Sequence, residues 1–595
     1  MVAPGSAVAT DAKLAHRLHA ELQLSLSRLQ SELSAPSSPG HLPALVTAYG
    51  NLARLFGYAE NNERYIDGNI LSPFRRLLGR DTNLDRLLHG IFLHESASSA
   101  MVPREALIWT QWFARRIRGT TRANEEELDE CRSAARNILV EIGQDQAALL
   151  QRLGITGGSV APYTAFYLLM ARTADASTRT KLAQAWNSRR DARTPQLLEI
   201  LNRAADIRRR DAAQCGDLSV LSRTLSRSRL HEDDAANFID KYLQRALTNH
   251  RAFEAAVRRV TGCDTHVMEH FPRFLKMWLP MVPLPLIPLD GILAFLGSIA
   301  RRFFGVETTQ LSYMTDEAIE AAVSLNGQRL GTLIFDLVDN SPCSGPGTVA
   351  CEELTGELAV ARSRVLCRYQ KRGGENQRLV TFEAAHSIFH EYGHALDHVV
   401  AQREVPSLSG TNCLPVERLE SLSSWFEKWI YHPDFAAGVG LGPDAATGLA
   451  LCRRIKKMEF WRTNLERAVT AALDFEVYRH NAGGFDSAFE RLCHEYDIGA
   501  CCELGELLHH FVSLTFEENS GGSFAYIWGG ALAVQNFTPF VAEPNSGAAV
   551  LAAIGALSHI FDADVDSQPP QISPVFEFYQ RDTGMTDSLG AIAWQ

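Results

Sequence analysis

Two histidines four residues apart carry the strongest chemical signal in the sequence. Residues 381–400 form a helix-compatible run with His390, Glu391 and His394 in H-E-x-x-H spacing. Four residues advance a helix by about 400° and about 6 Å, so both imidazoles project from one face and can share a tetrahedral zinc ion. Glu391 lies beside them and can accept a proton from a water that the metal activates. The spacing predicts a zinc site with Glu391 as general base.

A catalytic zinc ion needs a third protein ligand if water is to occupy the fourth position. The segment PVERLESLSSWFEKW, residues 415–429, offers several glutamates. Pro415 would begin a helix and place Glu417 in its first turn, where the helix dipole alone explains a carboxylate. Glu420 and Glu427 share a helical face, so Glu420 can reach the metal and Glu427 can orient a ligand histidine. A plain surface glutamate explains Glu427 equally well.

Two more residues of the H-E-x-x-H segment bear on the site. Asp397 could hold a ligand imidazole in one tautomer, although a solvated helix carboxylate explains it equally well. Gly393 costs about 1 kcal/mol relative to alanine in a helix interior, which predicts that another backbone or a ligand approaches it closely. The alternative for His390 and His394 is that both are core histidines with hydrogen-bond partners inside the protein.

Composition excludes several classes of function. The 595 residues carry a net charge of -11 with both signs interspersed, which leaves no basic stripe for nucleic acid. The eleven cysteines are scattered without a CxxC pair, so neither a disulfide framework nor a cysteine zinc site is indicated. The first thirty residues show no targeting pattern. We expect an intracellular, cytoplasmic protein, with mitochondria as an alternative.

One long apolar segment, Met277 to Ala300, has the length of a membrane span. Its first half is interrupted by four prolines, Pro280, Pro283, Pro285 and Pro288. Because proline breaks a helix interior, we expect a buried loop followed by an amphipathic helix with Asp290 as its N-cap. No membrane partner is expected.

Helical periodicity dominates the rest of the chain and predicts a mainly α fold. It is clearest in residues 12–34, 124–152, 176–190 and 195–215. A strand is predicted at Leu330 to Val338, after the turn-prone pair Asn326-Gly327, with Arg364 to Tyr369 as its partner. These strands predict a small β-sheet next to the H-E-x-x-H helix.

A glycine-rich break at Thr156 to Ser159 suggests a boundary along the chain. We therefore expect an N-terminal helical region over residues 1–155. The remainder, residues 156–595, would contain a catalytic core at about 325–595.

The H-E-x-x-H segment resembles the thimet oligopeptidase family, which includes neurolysin and mitochondrial intermediate peptidase. FHEYGHAL at 389–396 is similar to the family's metal-binding pattern, and LESLSSWFEKW is similar to its ligand-bearing helix. The resemblance runs from about Pro162 to PVFEFYQRDTG near the C-terminus. It implies a gluzincin with one zinc ion per chain, held by His390, His394 and Glu420. It also implies a two-lobed, neurolysin-like helical body with a deep substrate channel.

One segment departs from the family. Its members carry a histidine and several tyrosines in a glycine-rich loop, where residues 517–533 here read EENSGGSFAYIWGGALA. Only Tyr526 matches a family tyrosine, and the resemblance implies that it assists the oxyanion. Loss of an oxyanion donor can cost about 10² to 10³ in rate. We expect a zinc-dependent endopeptidase that hydrolyses short peptides or trims a precursor. The alternative is a zinc-binding homologue with weak or lost activity that binds peptides.

Overall fold

The computed structural model has a mainly α fold, as the sequence predicts. The residues that the structure describes are 5–34, 48–49, 51–52, 55–56, 74, 122–155, 162–225, 230–315, 318–339, 348–355, 358–371, 377–400, 416–479, 483–499, 501–516, 520–542 and 569–581. The helices are α1 (Gly5–Ser34), α2 (Arg122–Arg152), α3 (Pro162–Arg172), α4 (Ala176–Asp191), α5 (Thr194–Gln214), α6 (Val220–Leu225), α7 (Glu232–Thr261), α8 (Phe271–Trp278), α9 (Leu289–Phe304), α10 (Phe382–Val400), α11 (Ser421–Lys428), α12 (Phe435–Gly438), α13 (Ala446–Tyr478), α14 (Phe485–Tyr496), α15 (Leu504–Leu514), α16 (Phe524–Ala542) and α17 (Ser573–Gln580). The strands are β1 (Ile287–Pro288), β2 (Val306–Thr315), β3 (Ala318–Leu325), β4 (Gln328–Asp339), β5 (Thr348–Thr355), β6 (Leu358–Lys371) and β7 (Arg378–Val380).

The chain forms two compact units, each assembled from three separate segments. The first unit comprises Met1–Gly119, Pro285–Ala446 and Asn536–Val565. The second unit comprises Thr120–Leu284, Thr447–Gln535 and Asp566–Gln595. The predicted boundary between residues 1–155 and 156–595 stays a prediction, because its glycine-rich break at positions 156–159 lies outside the described residues.

The first unit contains a sheet in the strand order β1-β7-β6-β4-β3-β2. Strand β5 lies outside this order and pairs antiparallel with β6. Strands β4 and β6 run parallel, with Leu333 opposite Ser363, which confirms the predicted strand pair. Strands β3 and β4 form a hairpin over Asn326 and Gly327, whose φ angles are 52° and 79°. Two positive φ angles at Asn-Gly are the signature of a type I′ turn.

Helix α10, which carries the H-E-x-x-H motif, packs on this sheet. The ring of Tyr392 stacks on Phe335 of β4 with centroids 6.3 Å apart. At Gly331 of β4 a Cβ atom would come within 2.5 Å of the Ala361 carbonyl oxygen and 3.0 Å of Val399 Cγ1. This glycine therefore lets strand β6 and helix α10 both lie close to β4.

Helix α11 crosses α10 at close range. A Cβ atom at Gly393 would lie 2.5 Å from Ser423 Cα and 2.9 Å from the Leu422 carbonyl oxygen. The prediction that another backbone approaches Gly393 is therefore confirmed. Behind this crossing, Trp425 and Trp429 pack edge to face with ring centroids 5.5 Å apart, which fixes the position of α11.

The second unit is helical in the residues that the structure describes. Helices α2, α4 and α5 confirm three of the predicted helical stretches, and α1 of the first unit confirms the fourth. Inside the second unit, Tyr242 of α7 donates a hydrogen bond to Asn464 of α13 over 2.8 Å. The Trp461 ring nitrogen likewise donates to the Tyr579 carbonyl oxygen over 3.1 Å. These buried contacts tie α7, α13 and α17 into the same unit.

The apolar segment from residue 277 differs from prediction in two details. Helix α9 begins at Leu289 after Pro288 as N-cap, which places Asp290 in the first turn instead of at the cap. The preceding loop is not buried, since Met281 is 89% exposed and Leu284 is 53% exposed. Proline-rich backbone lacks the donors that would pair it with a neighbouring element. Within the described part of the chain, no helix has both the length and the hydrophobicity of a membrane span.

Candidate metal centre

Three predicted ligands converge in the first unit. Nε2 of His390 lies 3.2 Å from Nε2 of His394, and each of these atoms lies 3.4 Å from Oε2 of Glu420. Ligand atoms about 2.0 to 2.1 Å from a tetrahedral zinc ion are about 3.3 to 3.4 Å from one another. The three donor atoms therefore have the separations that a single zinc ion requires.

Glu420 reaches this cluster from the N-cap of α11. The α-helix starts at Ser421, after a 3₁₀ turn over Val416–Arg418. It therefore begins later than the expected start at Pro415, a position that lies outside the described residues. The Ser423 hydroxyl donates to Glu420 Oε2 over 3.2 Å and fixes the carboxylate. Glu417 is fully buried and is not part of the donor cluster; that a first-turn dipole contact explains it stays a prediction.

Glu427 supports the cluster from behind His390. Its Oε1 atom lies 2.7 Å from Nδ1 of His390. When the Nδ1–H group donates a hydrogen bond to this carboxylate, Nε2 keeps a lone pair that faces the other two metal-binding atoms. The second oxygen of Glu427 lies 3.2 Å from Lys428 Nζ and 3.5 Å from His386 Nε2. Glu427 is therefore half-buried in a charge network instead of lying on the surface.

His386 was missed in the sequence analysis. It lies one turn before His390 on α10, so the four-residue spacing that links the two motif histidines was the available signal. The structure adds His386 to the partners of Glu427.

The electrostatics of the cluster favour a positive charge. Burial disfavours the imidazolium of His390, but Glu427, Glu420 and Glu391 outweigh burial and raise its pKa to about 9. Burial acts to raise the pKa of Glu420, yet the two histidines and Ser423 hold it below its usual range. Burial also opposes ionisation of Glu427, while His386, Lys428 and His390 hold its pKa well below the usual range. The cluster thus attracts a cation.

The other two predicted residues of α10 lie in different surroundings. Glu391 is partly exposed, and its carboxylate is near enough to His390 to raise that pKa. Asp397 is fully buried, so the solvated-carboxylate explanation is wrong. Burial raises the pKa of Asp397 to about 7, and neither of its oxygens has a hydrogen-bond partner among the described residues. That Asp397 orients a ligand imidazole stays a prediction.

Tyr526 belongs to the second unit and lies in the first turn of α16. Its side chain is 54% exposed, whereas Trp528 is fully buried, so Tyr526 is not a core residue. The turn before it is anchored, because the Ser523 amide donates to Asp474 Oδ2 over 3.0 Å. Gly521 in that turn has a φ of 83°. Tyr526 therefore projects from a helix that follows an anchored turn.

The H-E-x-x-H helix, the following glutamate and the supporting sheet together form a candidate metal centre. Residues 296–549 match the model described as Peptidase family M3. Over this region the chain is similar to the M3 peptidase family, which confirms the resemblance to the thimet oligopeptidase family seen in the sequence.

Curated relatives match over part of their length. The organellar oligopeptidase A of Arabidopsis thaliana is 22% identical over 43% of this chain and 35% of its own length. Oligopeptidase A of Haemophilus influenzae is 18% identical over 44% of this chain and 41% of its own length. The matched stretches thus span well under half of these relatives.

Solved structures resemble the chain over a longer stretch. A candidate oligoendopeptidase F superposes with a TM-score of 0.57 and 14% identity, covering 96% of this chain and 97% of that one. PZ peptidase A, solved with an inhibitor, also gives a TM-score of 0.57 and 14% identity, covering 96% of this chain and 98% of that one. At such low identity these matches support the mainly α fold alone.

Proposed function

We propose that this chain is a zinc-dependent endopeptidase that hydrolyses short peptides or trims a precursor peptide. The observation that supports it most is the spacing of the three donor atoms of His390, His394 and Glu420, which suits one tetrahedral ion. Two imidazoles and a carboxylate, with a fourth position open, form the ligand set of a catalytic zinc. The names of the relatives support peptides as the substrate class.

The zinc ion would polarise the scissile carbonyl and make a nearby water more acidic. Glu391 takes the proton from the attacking water and passes it to the leaving amine, while a C–O bond forms and the C–N bond breaks. Glu427 holds the His390 ring in one tautomer through the 2.7 Å contact with Nδ1. The role of Tyr526 as an oxyanion donor, which the resemblance implies, stays a prediction that the Tyr526→Phe variant tests.

Turnover of a quenched fluorescent peptide library tests this proposal. The metal-free protein should be inactive, and stoichiometric Zn²⁺ should restore cleavage. Glu391→Gln should bind the same zinc without turnover and serves as the control for contaminating proteases. If zinc-loaded wild-type protein binds library peptides without cleaving them, the endopeptidase proposal fails and the chain is a peptide-binding homologue.

A further inference from the structure

A second group of metal-binding side chains lies in the second unit. His250 and Glu254 are one turn apart on α7, and Cys501 lies in the turn between α14 and α15. One donor atom from each residue lies within 4.8 Å of the other two. No local motif links these residues, since Cys501 is far from the other two in sequence. For that reason the sequence did not indicate a cysteine zinc site.

The burial of His250 indicates a ligand. Its side chain is 5% exposed, and its Nδ1 atom has no hydrogen-bond partner among the described residues. An unsatisfied buried polar atom costs about 1 to 3 kcal/mol. A neutral imidazole keeps a nitrogen lone pair that can bind a metal ion. A bound metal ion would use that lone pair without placing an unpaired imidazolium in the interior.

We propose that His250, Glu254 and Cys501 bind a divalent cation of borderline softness, with Zn²⁺ as the expected occupant. A thiolate and an imidazole select zinc over magnesium or calcium, which prefer oxygen ligands throughout. The zinc count of one per chain, predicted from the resemblance, would become two.

The competing contacts at this site are weak. Glu254 Oε1 pairs with Arg258 over 2.8 Å, but Arg258 is half-exposed and the second carboxylate oxygen remains for a metal. A neighbouring group of Glu466, His509 and His510 supports a metal site less well, because His510 already hydrogen-bonds to Glu466 and His509 is exposed.

The proposed role of this cation is structural. It would join α7 to the turn between α14 and α15, two parts of the second unit that are distant in sequence. Metal binding that requires such a preformed arrangement contributes to folding stability. The site involves none of the residues of the candidate metal centre in the first unit.

Cobalt substitution tests the proposal, because only this one of the two sites contains sulfur. Metal-free wild-type protein is titrated with Co²⁺ and monitored for thiolate-to-cobalt charge-transfer absorption. The band should appear in wild type and disappear in Cys501→Ser. It should persist in Cys493→Ser, which removes a neighbouring half-buried thiol of α14.

Metal content provides a readout that does not depend on peptidase activity. The double variant His390→Ala/His394→Ala should lose one zinc equivalent, retain another and keep the cobalt band. Adding Cys501→Ser, a single-atom change, should remove the remaining equivalent. A missing band in wild type, a band that survives Cys501→Ser, or a double variant that binds no zinc would each overturn the proposal. None of these results depends on whether the chain cleaves peptides.

Discussion

The donor cluster of the first unit and the segment around Tyr526 differ in how their side chains are held. In the cluster, Glu427 fixes the His390 ring and Ser423 fixes the Glu420 carboxylate, and these groups are mostly buried. Around Tyr526 the backbone is anchored through Ser523, while the phenol itself is 54% exposed. The functional atoms of the first region are largely buried and hydrogen-bonded to one another, whereas the second region presents an exposed phenol next to an anchored backbone.

This difference matches the proposed tasks of the two regions. Metal ligands must be held in place before the ion binds, because each adjustment of a loose ligand weakens affinity. An oxyanion donor is needed only when charge develops in the transition state. Changes in the cluster should therefore affect metal and turnover together, whereas changes at Tyr526 should affect turnover alone.

The largest effect is expected for Glu420→Ala, which removes one of three ligands. Zinc should fall well below one equivalent at this site, and peptide turnover should be lost. Glu417→Gln is the matched control, because Glu417 is buried nearby but outside the donor cluster. Zinc content and turnover of both purified variants decide the matter. The opposite pattern would identify Glu417 as the ligand.

Glu391→Gln should separate catalysis from metal binding. Glutamine keeps the shape of the side chain but cannot accept the proton, so kcat should fall by about 10² to 10⁴ with zinc retained. Glu383→Gln, an exposed glutamate in the first turn of the same helix, should have wild-type kinetics. Near-native activity of Glu391→Gln would remove this residue from the mechanism.

Tyr526→Phe should lower kcat by about 10² to 10³ while KM and zinc content stay nearly unchanged. The expected loss is large because the family's histidine and other tyrosines are missing from this segment, which leaves few donors to compensate. Tyr163→Phe is a suitable control, since Tyr163 is also in the second unit and is 52% exposed. Turnover within a few-fold of wild type would exclude an oxyanion role for Tyr526.

Glu427→Ala tests the support behind His390. Loss of a carboxylate that orients a ligand histidine typically weakens metal affinity by about 10- to 100-fold. Glu427→Gln should have a smaller effect, because its amide oxygen can still accept the Nδ1–H hydrogen bond. Competition with a chelator of known zinc affinity measures both variants. Equal affinities for alanine and wild type would show that the 2.7 Å contact does not support the metal.

Features with local sequence periodicity could be predicted, and features assembled from distant segments could not. The H-E-x-x-H spacing indicated the convergence of His390 and His394, because four residues make one helical turn. The hairpin at Asn326-Gly327 was equally visible, since that pair determines its own turn type. The group of His250, Glu254 and Cys501 has no such local signal. Its members meet only through the packing of the second unit.

The start of α11 shows a second limit. Proline at the first helical position suggested a continuous helix from Pro415, but a 3₁₀ turn intervenes and places Glu420 at the N-cap. Helix boundaries depend on which backbone groups find partners, and sequence does not show these partners. Glu420 and Glu427 nevertheless lie 3.4 and 2.7 Å from ring nitrogens of His390, distances that suit the predicted roles of a metal ligand and of a group that orients a ligand histidine.

The smallest effect is expected for Gly393→Ala, which tests whether the α10–α11 crossing holds the cluster together. Alanine favours a helix over glycine by about 1 kcal/mol, but the new Cβ would lie 2.5 Å from Ser423 Cα, and backbone cannot rotate away as a side chain does. Overpacking of this kind costs about 1 to 3 kcal/mol, so the variant should be destabilised and α11 should shift with Glu420.

Gly143→Ala is the control, because Gly143 lies within α2 and a Cβ there has nothing within 4 Å. That change should be neutral or stabilising. Thermal unfolding of the metal-free proteins and chelator competition for zinc measure both effects. If Gly393→Ala matches Gly143→Ala in stability and keeps wild-type zinc affinity, the close crossing does not position Glu420.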